Sequence, residues 1–214
     1  MGVLSLLQMR DEVTSSMGTR PNILPARFNT WINLAYTDIA SGVNFAELDG
    51  VSVLPTVAAQ HNYAIPASPL IIEMVRDDTN ENLLTWIPND EYFRLDRSTA
   101  SGEPKRWTRR GAEILLWPSP DAVYSLSRYY KATPAILAAD GDFTVLPGYV
   151  DNGIILLATG YGLLAVNEDQ RAVIWVNRAV NYLSSRLTQQ DFSFLLGGLA
   201  KTQPNPTQGV TSGT

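Results

Sequence analysis

"GIILLATGYGLLAV", residues 153–166, decides the fold. It contains Gly160-x-Gly162-x-x-Ala165 behind an apolar run. That is a permitted form of the dinucleotide-binding turn, which needs a strand before it, a helix opening on it and a second parallel strand after it. The alternative is a helix with two glycines inside. Val150, Ile154, Leu157, Tyr161 and Leu164 fall at steps of four, three, four and three, a helical stripe. Pro147 suits the start of such a helix. The nearest candidate second strand, 173–176, continues as helix through Val173, Val176, Val180, Leu183 and Leu187. The helical reading therefore stands, over about 147–166, with a second helix over 169–196. An interior glycine costs ~1 kcal/mol against alanine, so close packing has to offset it. Ala158, Gly160, Gly162 and Ala165 are the expected contact residues, against the following helix or an N-terminal pair.

Outward from this stretch, the first 42 residues read as two helices. Leu6, Met9, Val13 and Met17 form one stripe, and Phe28, Trp31, Ala35 and Ile39 another. Gly18 and Pro21 break the chain between them, and Gly42 is a C-terminal stop. Between 45 and 131, proline, glycine and asparagine punctuate β-prone runs at 51–58, 69–76, 83–87, 106–109, 113–117 and 124–131, with a short helix over 89–96. Asp77-Asp78-Thr79-Asn80 is a turn. Partial alternation in 124–131 suits an antiparallel sheet with one wet face. The order helices, strands, helices gives α+β: a bundle of four main helices, an inserted antiparallel β region and an extended C-terminal tail. The expected divisions are 1–42, 43–146, 147–200 and a tail over 201–214.

The 214 residues carry a net charge of −5 and no cysteine. Disulfides and thiolate chemistry are excluded, and no overall basic field invites nucleic acid. The longest apolar run is about a dozen residues, short of the ~20 that span a bilayer, and no secretory leader is visible. The expectation is a soluble chain without a membrane partner. His61 is the only histidine, so a metal would need oxygen ligands alone. No catalytic set, metal site or cofactor site is expected. "KRWTRR" (105–110) stands out: Lys105, Arg106, Arg109 and Arg110 surround Trp107. Cations on both faces suit an exposed loop or edge strand, an interface with an acidic protein, or, last, nucleic acid.

The stretch 114–159, "ILLWPSPDAVYSLSRYYKATPAILAADGDFTVLPGYVDNGIILLAT", resembles the adaptor, or head-to-tail connector, proteins of tailed bacteriophages. The motifs are Trp117-Pro118-x-Pro120-Asp121, Tyr124, Arg128-Tyr129-Tyr130-Lys131-x-x-Pro134 and Leu146-Pro147-x-x-Val150. Phe45-x-Glu47-Leu48, Tyr63-x-x-Pro66 and the two leading helices fit the same pattern, whereas "KRWTRR" and the tail do not map onto it. The resemblance implies a non-enzymatic virion protein at the head–tail junction, made in the bacterial host cytoplasm. It implies a ring, usually a dodecamer, with the portal protein and tail or nozzle proteins as partners and DNA only as channel contents. It also implies a C-terminal segment that reaches the portal; here that is Gln203, Pro204, Asn205, Pro206, Thr207 and Val210. Thirteen extended residues, 202–214, span up to roughly 45 Å. Two other classes remain open from the residues themselves. One is a carbohydrate-binding or hydrolytic virion β-domain using Trp86, Trp107 and Trp117; the other is a nucleotide-binding enzyme built on a parallel sheet.

Overall fold

In the computed structural model the quoted stretch up to Ala165 lies in one continuous helix, Val150–Ala165, with Val166 at its C-cap. The structure describes residues 1–187 except 19, 21, 66–69 and 96–99. The tail lies outside the described residues, as do 188–196 of the last expected helix, but that helix already ends at Ser184, short of the expected 196. In chain order the elements are α1 (Leu6–Met17), α2 (Pro25–Gly42), β1 (Asp49–Pro55), β2 (Asn62–Ala64), β3 (Leu70–Asp77), β4 (Asn82–Leu83), β5 (Thr85–Trp86), α3 (Asn89–Arg94), β6 (Arg106–Arg110), β7 (Glu113–Trp117), β8 (Ser125–Ala132), α4 (Val150–Ala165) and α5 (Asp169–Ser184). The fold is α+β, with helices flanking an inserted, mainly antiparallel β region.

The chain divides into two compact units. One is helical, residues Met1–Phe45 with the described chain from Ala135 on; the other is Ala46–Pro134. In the helical unit α1 starts on a capping box. Gln8 N donates to Ser5 Oγ (3.3 Å), and Ser5 N donates to Gln8 Oε1 (2.9 Å). Leu6, Met9, Val13 and Met17 are buried as a single stripe, and Gly18 ends the helix with a φ of 81°. α2 begins on Pro25, where a missing N–H costs nothing, and buries Phe28, Trp31, Ile32, Ala35, Tyr36 and Ile39. α4 packs against α1, α2 and α5, which explains why it is apolar nearly all round.

The β unit holds two four-stranded sheets, ordered β1-β8-β3-β4 and β2-β7-β6-β5. Between the described strands the pairings are antiparallel except the two-residue contact of β5 with β6. Tyr63, Val75, Trp107, Ile114, Leu116 and Leu126 from the two sheets form one core. A second, smaller cluster places Tyr92 of α3 on Leu115 with Ile87. Three expectations for this unit change. The strand at 62–64 was not visible in the sequence, because three residues carry no usable period. The run at 83–87 is two short strands. And β8 is a central strand in which Leu126, Ser127 and Arg128 are buried in succession, so its middle has no wet face.

Candidate functional site

The basic stretch 105–110 is placed differently from its sequence reading. β6 is an inner strand, not an edge. It pairs along its length with β7 and at its start with β5. Further on, Ile87 N donates to Trp107 O (2.9 Å) and Asn89 Nδ2 to Arg109 O (3.0 Å), so the second flank is occupied too. Trp107 points into the core and offers no face to a ligand. Arg106 lies over the Trp117 ring at 5.3 Å and 3.5 Å from Glu91. Arg110 lies over Phe93 at 5.3 Å, and Arg109 Nε donates to Gly111 O (3.1 Å). Lys105 is exposed. The arginines thus bind α3 and the neighbouring turn to the sheet. Their partners come from other elements, which a sequence window does not display. Trp86 is exposed and Trp117 half-buried under Arg106.

The small residues of α4 meet three neighbouring helices. A Cβ on Gly160 would lie 2.7 Å from Val176 Cγ2 on α5. One on Gly162 would lie 2.5 Å from Met17 Sδ and 3.0 Å from Trp31, on α1 and α2. Ala158 is buried, whereas Ala165 is exposed. Gly160-x-Gly162-x-x-Ala165 lies inside the helix and not at its start, so no phosphate-binding turn forms there.

The helical unit is closed by polar clasps, some local and some between residues far apart in sequence. Asp151, 1% exposed, accepts from Val3 N (2.6 Å), Leu4 N (2.9 Å) and Thr144 Oγ1 (2.9 Å). Asp142 accepts from Ala138 N and Ala139 N, both at 2.8 Å. The N–H of Ala139, then that of Ala138, holds its carboxyl below the usual carboxylate range. Glu168 pairs with Arg20 and Arg171, and Arg20 is the larger cause of its lowered pKa. Tyr161 donates to Asp38 Oδ2 (2.8 Å); burial, then that carboxylate, raises its pKa. These clasps were missed in the sequence. The one local signal was Asp151 in the first turn of α4, where an acid suits the helix dipole.

The outer side of this unit keeps apolar surface. Val173 and Ile174 on α5 and Leu164 on α4 are exposed, while Ala172, Ala179 and Leu183 on the other side of α5 are buried. Among the described residues no helix is long and apolar enough to cross a membrane, and no group of three or more His, Asp or Glu side chains could hold a metal ion. The residues assigned to the portal-reaching tail, Gln203 to Thr207 and Val210, lie outside the described residues.

A protein-family model described as "SU10 adaptor protein" matches residues 4–201, which run through both units. No curated protein matches the sequence.

Proposed function

This chain belongs to the SU10 adaptor family of phage head-to-tail adaptors, and from that premise we propose that it forms a ring that joins the portal to the tail and extends the DNA channel. The observation that carries this reading is the family match over residues 4–201. Two features support it. Val173 and Ile174 give α5 a second apolar side after its first is buried on α4; in a ring, a neighbouring copy covers it. The net charge of −5 suits a channel wall, since a strongly basic lumen would grip moving DNA. The uncharged stretch 202–214 is the segment that reaches the portal, binding in extended form with main-chain hydrogen bonds. Ordering it costs about 1–2 kcal/mol per residue, so attachment relies on many copies acting together.

The test is the particle mass of the purified chain, alone and mixed with its portal, with micrographs of what elutes. A ring in either sample is expected; a monomer that ignores the portal overturns the reading. Deletion of 202–214 should leave a folded chain that no longer stays on the portal, and undiminished retention would remove the role given to the tail.

A further inference from the structure

The sheet β1-β8-β3-β4 has one long free edge. β1 has seven residues and pairs with β8 on one side; no described strand pairs with the other. Thr56 N donates to Tyr124 O (2.9 Å), extending the β1–β8 register by one pair. Hydrogen-bonded pairs alternate along an antiparallel ladder. Gly50, Ser52 and Leu54 therefore turn their main-chain groups to β8, while Val51 and Val53 turn theirs to the free edge. The Val51 and Val53 side chains are 56% and 61% exposed. Proteins usually guard such an edge with charge, proline or a covering element. From Gly50 to Leu54 this strand has neither charge nor proline.

Behind the edge lie two donors without acceptors. Ser52 and Arg128 are directly opposite in register, so their side chains share the inner face of the sheet. Ser52 Oγ and Arg128 Nε are both buried and have no hydrogen-bond partner. Arg128 is 5% exposed and sits between Leu126 and Tyr130 on that face. Its Nη1 donates to Ala64 O of the other sheet at 3.3 Å, and no described carboxylate pairs with it. Burial lowers its pKa. A buried guanidinium is costly until its N–H groups find acceptors.

We propose that the free edge of β1 is a docking strand for an extended segment of another polypeptide, one that sets an acidic side chain between two apolar residues. In the added strand the residue opposite Ser52 faces inward, its Cβ about 4.5–5.5 Å from that of Ser52. It lies two strand spacings, about 9–10 Å, from β8, within the combined reach of an arginine and a glutamate side chain. Its carboxylate accepts from Ser52 Oγ and Arg128 Nε. The flanking apolar side chains fall on the outer face beside Val51 and Val53. Main-chain bonds to Val51 and Val53 provide affinity, and the acid fixes the register. A second copy of β1 does not fit, because its inner face carries only Gly50, Ser52 and Leu54 and no acid.

The probe is a capped, fluorescently labelled heptapeptide with a central glutamate between valines, and its glutamine analogue. Anisotropy gives affinity for the full chain, and amide exchange locates the site. The glutamate peptide is expected to bind about 10- to 100-fold tighter than the glutamine one, the effect of a charge-assisted hydrogen bond, and to protect 49–55. Val53→Pro deletes an edge-facing N–H, leaves the bonds to β8 and should abolish binding. Arg128→Met should bind both peptides alike. Equal affinity of the two peptides for the unaltered chain, binding of neither, or undiminished binding by Val53→Pro overturns the proposal. So does concentration-dependent protection of 49–55 without peptide, which would make a second copy the occupant. If Arg128→Met does not fold, the two-peptide contrast on the unaltered chain decides. Ring formation is read separately by mass, so docking and ring can each fail alone.

Discussion

Asp151 in the helical unit and Arg128 in the β unit are both buried ionic side chains, yet their surroundings differ. Asp151 accepts three hydrogen bonds, two from the N-terminal segment and one from Thr144. Arg128 makes one long bond to a carbonyl and leaves Nε unpaired. The helical unit uses its buried charge to close on itself. The β unit carries a charge that its own chain does not satisfy, next to a strand with an open edge. The two buried charges are thus treated differently: one is satisfied by its own chain, and the other is left for a partner.

The largest expected effect breaks or upholds that contrast directly. Asp151→Ala strands two N–H groups and a hydroxyl in the interior, and should cost about 3 kcal/mol or more in urea denaturation. Arg128→Met removes an unsatisfied buried cation and should fall within about 1 kcal/mol of neutral, or stabilise. Equal losses from the two substitutions would mean that Arg128 is as well partnered as Asp151.

Next in size is Gly162→Leu, which forces a side chain into Met17 and Trp31. Overpacking of this kind costs about 1–3 kcal/mol. Amide exchange should place the loss in the helical unit and leave β-unit amides unchanged. Gly141→Leu is the control, since nothing lies within 4 Å of a Cβ there. A smaller effect tests the β unit. Arg106→Ala and Arg110→Ala each lose a cation–π contact worth ~0.5–1 kcal/mol. The readout is a lower melting temperature, with faster exchange confined to α3 and its turn. A loss spread over both sheets would show that these arginines do more than bind α3.

The same contrast governs what the sequence revealed. The stripes of α1, α2 and α4 are local, with a period within one window, so the helices and the helical context of Gly160 and Gly162 were legible. The β unit depends on pairings such as Val51 with Tyr129, and strand order has no local signature. The charges at 106–110 looked free because Phe93, Trp117 and Glu91 come from separate elements. The clasp on Asp151 joins residues 148 apart, and no spacing announces it. The Ser52–Arg128 pair was hidden for the same reason. A serine and an arginine in two strands become a site only when register sets them opposite each other.

The smallest effect concerns acid. Asp142 and Glu168 both belong to the helical unit, and both have folded pKa values held down, by the N–H groups of Ala139 and Ala138 and by Arg20 and Arg171 respectively. A depressed carboxylate pKa means that the unfolded chain binds protons first as pH falls. Their stabilisation is therefore complete above the ordinary carboxylate range, about pH 4, and is lost as pH drops through the lower folded values. Both groups are only half-buried and open to solvent, which keeps each contribution small. Denaturation midpoints of the helical unit measured between neutral pH and pH 3 should fall, and the fall should be shallower in Asp142→Asn, which no longer titrates there. Superimposable profiles for that variant and the unaltered chain would show that the clasp at Ala138 and Ala139 holds as well without the charge. The self-closure of the helical unit would then rest on Asp151, the Glu168–Arg20 and Tyr161–Asp38 pairs, and packing.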